Sequence, residues 1–116
     1  MMDVRQIAAM YENLNVAIMA SDADFKVIYQ NNKCKQLFGK VFGRADYSGS
    51  DLTECHSDGA TRKVKDYFEQ YKTKTLQLDH YVIDEPTGRV TVVNVPFYDG
   101  ETFKGVVEFI FESALD

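Results

Sequence analysis

The stretch Asp22-Ala23-Asp24-Phe25-Lys26-Val27-Ile28-Tyr29-Gln30-Asn31 places a turn, a strand and a helix start in succession. Ser21-Asp22-Ala23-Asp24 has the composition of a turn, because short Asp and Ser side chains hydrogen-bond their own backbone. The apolar run 16–20 precedes it and the β-rich run 25–29 follows, so the pair reads as a hairpin. Asn31-Asn32 then offers an N-cap for a short helix through Leu37-Phe38, closed by Gly39. A hairpin running into a helix is the seed of an α+β domain rather than an α/β one.

Working outward, residues 3–14 repeat Val4, Ile7, Ala8, Tyr11 and Leu14 at helical spacing, with Asp3 and Gln6 resembling a capping box. At about twelve residues such a helix is marginal alone and needs something to pack on. Residues 40–52 are loop by composition. A helix from 59 to 72 shows Val64, Tyr67, Phe68 and Tyr71 on one face and charged residues on the other. The remainder is β. Leu76, Leu78, His80 and Val82 alternate with Gln77, Asp79, Tyr81 and Ile83. Residues 89–98 and 103–112 follow, separated by turns at Glu85-Pro86-Thr87-Gly88 and Asp99-Gly100-Glu101-Thr102. In the last strand Val107, Phe109 and Phe111 are expected to face the pocket. Val106 and Ile110, with Glu108 and Glu112, would lie under a cover for which helix 3–14 is the natural candidate. The expected division is a cap helix at 1–14 and a single domain at 15–116.

Composition bounds the function. The chain has 116 residues, 45% hydrophobic and 27% charged, so it is one globular domain with a core of its own. Thirteen basic against eighteen acidic residues give a net charge of −5. Such a surface lacks the basic stripe that nucleic acid or an anionic membrane requires. No apolar run approaches the ~20 residues of a membrane helix. The N-terminus does not have the layout of a signal peptide. Cys34 and Cys55 make neither a disulfide framework nor a zinc site, and reduced thiols in the cytoplasm are expected. There is no Ser-His-Asp arrangement, no close carboxylate pair on a helix face and no phosphate-cradling glycine loop, so the chain is not read as an enzyme.

The ordered set of pieces resembles a PAS domain. Residues 22–31 are similar to the family's "D-x-x-x-x-I-x-Y-x-N" hairpin, and Leu37-Phe38-Gly39 to the end of the helix it enters. Pro96-Phe97-Tyr98-Asp99-Gly100, followed by Phe103-Lys104-Gly105-Val106, resembles the "P-x-x-D-x-x-G-x-x-x-G" hairpin before the last strand. The resemblance spans about residues 14–112. It implies a five-stranded antiparallel sheet with short helices on one face and a pocket for a small ligand between them. It also implies a bacterial-type sensory role, signalling through a homodimer or through a partner met in trans or in a longer chain. Two alternatives are a ligand-free dimerisation or docking module and a small α+β enzyme.

Candidate ligand-contacting residues are Cys55, His56, His80, Asn94, Phe68 and Tyr71. Cys55-His56 precedes the long helix, whose dipole favours a thiolate. It reads as a reactive thiol, a covalent attachment point or an imidazole ligand to haem iron, or else as a small buried Cys beside a half-exposed His that caps a turn. Similarity to the flavin-binding light-oxygen-voltage type fails, because Ser50-Asp51-Leu52-Thr53-Glu54-Cys55-His56-Ser57 lacks that signature. Photoactive yellow protein is a poor match as well, since Cys34 and Gln30 stand where its acid and phenol would fall. Helix 59–72 holds no His for haem, which leaves His56 or His80 as the axial options. The cofactor is left unassigned, and a colourless protein is expected. His80 reads as a core or pocket histidine. Asn94 interrupts a valine run, and an inward amide would have to find partners.

Overall fold

The computed structural model describes residues 1–55, 58–85 and 88–113. The elements are α1 (Val4–Glu12), β1 (Ala17–Asp22), β2 (Val27–Gln30), α2 (Asn32–Phe42), a short 3-10 helix (Leu52–Cys55), α3 (Asp58–Lys72), β3 (Asp79–Glu85), β4 (Gly88–Asp99) and β5 (Thr102–Phe111). The strands form one antiparallel sheet in the order β2-β1-β5-β4-β3. The α+β class, the five strands and the N-terminal helix are as the sequence predicts.

Asn31 joins these pieces. It is fully buried. Its side-chain oxygen accepts from the N–H groups of Ile18 at 2.9 Å and Cys34 at 3.0 Å, the latter as the N-cap of α2. Its amide nitrogen donates to the carbonyls of Tyr11 at 3.0 Å and Val16 at 2.8 Å. One amide therefore ties the end of α1, the start of β1 and the start of α2 to the exit of β2. The hairpin turn is held by Asp22, whose carboxylate accepts from the N–H groups of Asp24 and Lys26. The turn places Phe25 at φ +68, a left-handed conformation that costs a non-glycine residue about 1 kcal/mol.

Helix α2 runs one turn beyond its expected end. Cys34, Leu37, Phe38 and Val41 continue one stripe past Gly39, and Gly43, at φ +74, provides the left-handed cap. Gly105 has a different role. A Cβ there would stand 2.0 Å from the Ser21 carbonyl oxygen, so β1 and β5 approach as closely as they do only around a glycine.

The largest correction concerns side-chain parity in β3 and β5. Strand β3 begins at Asp79, after a turn in which Lys74 takes φ +60. Its pairing is Asp79 with Asn94, Tyr81 with Val92 and Ile83 with Val90. Paired residues share a face, and Val90 and Val92 are buried in the core beneath the helices. Asp79, Tyr81 and Ile83 therefore face inward, while His80 and Val82 face outward. In β5, Ile110 pairs with Val92 and Glu108 with Asn94, so Val106, Glu108 and Ile110 are the inner set. Val107, Phe109 and Phe111 lie on the outer face. No residue of α1 is buried, and its ties to the domain come from its C-terminal end at Tyr11 and Glu12.

Truncating Asn31 leaves two donors and two acceptors in the interior without it. Asn31→Ala is expected to cost about 3 kcal/mol or more. Asn31→Asp keeps the acceptor but sets a carboxylate against the Tyr11 and Val16 carbonyls, and should lose as much at neutral pH. Urea unfolding measures both, and a loss below about 1 kcal/mol for either would refute this role.

Candidate functional site

Between α2, α3 and the inner sheet face lies a cavity of about 840 Å³. Its apolar wall comes from Leu37 and Phe38 of α2, Val64 and Phe68 of α3, and Val90, Val92 and Ile110 of the sheet. Phe68 is held from behind, with its ring stacked on Phe25 at 4.6 Å and set edge-on to Phe103 at 5.5 Å. That stack gives the left-handed Phe25 a packing return. It also ties the β1–β2 turn to the cavity wall.

The polar groups gather at one end. Tyr71, in the last turn of α3, is 1% exposed, and its hydroxyl has no hydrogen-bond partner. Oδ2 of Asp79 is likewise buried and unpartnered. Burial first, then the charge of Asp79, raises the Tyr71 phenol well above its usual range. Tyr81 is also pushed up, by desolvation and then by the carboxylates of Glu108 and Asp79, against a hydrogen bond with Asn94. Asp79, Asn94 and Glu108 form one row across β3, β4 and β5. Two carboxylates, two phenols and an amide therefore converge on one end of a space whose other walls are mostly apolar, with Ser21 and Lys63 among the polar exceptions.

Of the residues singled out from sequence, Phe68, Tyr71 and Asn94 line the cavity. His80 borders it, but it pairs with Val93 and is exposed, so its imidazole belongs to the outer face. Cys55 ends the 3-10 helix, and His56 lies outside the described residues. The sequence reading passed over Asp79, Tyr81 and Glu108. Glu108, flanked at i±2 by Val106 and Ile110, carried a signal: a carboxylate in an apolar row is expensive unless it has work there.

Cys34 is structural. It is fully buried and receives a hydrogen bond from Gln30 Nε2 at 3.3 Å. The same Gln30 amide donates to the Ala45 carbonyl and accepts from the Tyr47 N–H, holding the α2–loop junction. Among the described residues no cluster of His, Cys, Asp and Glu could hold a metal ion.

The sheet order, the helices on one face and the cavity between them match the architecture that the hairpin motifs imply, and the PAS domain family model matches residues 5–72. The chain belongs to the PAS domain family. Its fold recurs in solved structures of low sequence identity. A C-terminal domain from Streptococcus mutans aligns with a TM-score of 0.75 at 20% identity, covering 96% of this chain and 85% of that one. A PAS domain from Colwellia psychrerythraea gives 0.70 at 17% identity, covering 95% and 96%. A sensory box sensor histidine kinase from Vibrio cholerae gives 0.63 at 9% identity, covering 95% and 90%. No curated protein sequence matches this PAS domain.

Burial pushes the Cys34 thiol up to about 12, so very little thiolate exists at neutral pH. In a Cys55→Ser variant, where Cys34 is the sole thiol, a disulfide reagent at pH 8 is expected to leave the native protein unlabelled. One equivalent should react after denaturation. Rapid labelling of the native variant would contradict the structural role.

Proposed function

We propose that this PAS domain is a non-enzymatic sensory module that binds a small ligand in the cavity and signals through a homodimer or a partner, met in trans or in a longer chain. The observation that carries the reading is the cavity itself. Its size of about 840 Å³ falls within the range of small-molecule sites, and its few polar groups converge in a mostly apolar space. The likeness to a sensor histidine kinase supports the sensory role. In this reading residues 1–14 are a cap helix and residues 15–116 the sensing domain, with Asn94, Phe68, Tyr71, Cys55 and His56 contacting the ligand. No helix among the described residues is long and apolar enough to cross a membrane, and we place the domain in the cytoplasm.

The dimer has its own support. Val4, Ile7, Met10, Tyr11 and Leu14 are each at least 37% exposed on or beside α1. The outer sheet face adds Val93, Val95, Val107, Phe109 and Phe111, none of them fully buried. A two-fold pairing in which α1 of each copy covers the other's sheet would bury both surfaces. This same feature favours the second reading, a docking module with no ligand.

Native mass spectrometry separates the two readings: a bound small molecule, released on denaturation, is expected for the sensor. Asn94→Leu and His56→Ala should each weaken that ligand about fivefold, the worth of one hydrogen bond, with the fold retained. A bare polypeptide mass, with no ligand captured from cell extract, would favour the docking module. Light scattering of the full chain should give twice the chain mass, falling to the monomer in an Ile7→Asp, Met10→Asp double variant. A monomeric wild type would remove the dimer.

A further inference from the structure

We propose that the polar end of the cavity receives the protonated nitrogen of a small apolar amine, with Asp79 as its counter-charge and Tyr71 as its second contact. This inference rests on the reading of the cavity as a ligand site and names the chemistry of its occupant. Three independent features converge on it.

The first is the unpartnered pair. The Tyr71 hydroxyl and Asp79 Oδ2 are buried polar atoms without hydrogen bonds. Asp79 as a whole is half-buried, but a carboxylate oxygen shut away from water without a partner is costly until a cation or a strong donor meets it. Desolvation in such a place multiplies the attraction for a cation relative to water.

The second is the sign of the surroundings. Glu108 stands two strands from Asp79, in the same row and on the same face, with Asn94 between them. Adjacent strands lie about 4.8 Å apart, so the two carboxylates flank a space about 10 Å wide. Tyr71 sits in the last turn of α3, where the helix dipole presents its negative end. The lysines nearby are engaged elsewhere: Lys72 pairs with Glu69 and Lys74 with Glu101. Lys63, which also borders the cavity, is exposed on α3 eight residues before Tyr71, about 12 Å away along the axis. An anionic ligand head would meet two carboxylates and a helix C-terminus at this end. A neutral head would leave Asp79 without a counter-charge. An ammonium offers donors for Asp79, for the Tyr71 oxygen and for the Asn94 carbonyl.

The third is the rest of the space. Beyond these groups the wall is mostly apolar, with Phe68, Val64, Val92 and Ile110 beside the exposed Lys63, which suits an aryl or alkyl body and disfavours a second cation. The occupant is therefore a primary amine on a compact apolar frame.

The test is a matched series on the full chain: phenethylamine, phenethyl alcohol and 3-phenylpropionate, each titrated at pH 7 and followed by backbone amide NMR. The amine is expected to shift the amides of Tyr71, Asp79 and Asn94 and to bind at least about tenfold more tightly than the alcohol. Asp79→Asn should remove that preference. Tyr71→Phe, which keeps the buried ring, should weaken the amine several-fold and serves if the first variant fails to fold. If the alcohol or the carboxylate binds at these residues as well as the amine does, the amine assignment fails while the cavity remains a ligand site. Amine affinity unchanged in both variants also overturns the assignment. If no probe moves any cavity residue, the amine assignment fails, and the ligand-binding reading is decided separately by native mass spectrometry.

Discussion

A single buried amide holds this domain together. Asn31 accepts two backbone N–H groups and donates to two backbone carbonyls, and these four partners belong to α1, the segment before β1, β1 itself and α2. Its own N–H bonds the Ile18 carbonyl, so the residue joins the β1–β2 ladder at the point where the chain leaves the sheet for the helix. Inside a low-dielectric core each of these bonds is strong, and each orphaned group would be expensive. The geometry therefore leaves little freedom in the angle between the hairpin and α2. Helix α2, held at that angle, supplies Leu37, Phe38 and Val41 to the cavity wall.

The cavity is a place where ordinary core packing has been given up. Protein interiors are close-packed, and a space of about 840 Å³ in a chain this small forfeits contacts that would otherwise stabilise it. The aromatic cluster of Phe25, Phe68, Tyr71, Phe103 and Tyr98 compensates nearby. It stacks the β1–β2 turn, α3 and the β4–β5 hairpin on one another, and the Tyr98 hydroxyl donates to the Tyr71 carbonyl. That rigid side supports the Tyr71 ring, whose hydroxyl is left open.

The sheet uses both of its faces. One inner row, Asp79, Asn94, Glu108 and Met19, crosses four strands and brings two carboxylates to the cavity. The outer face carries Val93, Val95, Val107 and Phe109 and is continuous in register with Ile18 and Ala20 of β1. Two apolar faces on one sheet mean two packing surfaces. The helices of this chain take the inner one. The outer one and the exposed stripe of α1 remain uncovered among the described residues.

The sequence by itself determined what is local. The turn at Asp22, the caps at Asp3 and Asn31, the stripe of α3 and the hairpin glycines all act within a few residues, so the element order and the α+β class could be read from them. Phe68, Tyr71 and Asn94 were placed at the cavity for the same reason, because a helical stripe and an interrupted valine run are local patterns. Only the folded chain decided the parity of β3 and β5. In β5 period-two spacing favours the wholly apolar set Val107, Phe109 and Phe111 as the inner one, but both faces of this sheet carry apolar residues, and a shift of one residue exchanges every side chain between them. Pairing with β4 made the choice. It turned His80, Val107 and Phe109 outward and brought Asp79, Tyr81 and Glu108 in, since cross-strand partners must share a face and Val90 and Val92 were already committed to the core.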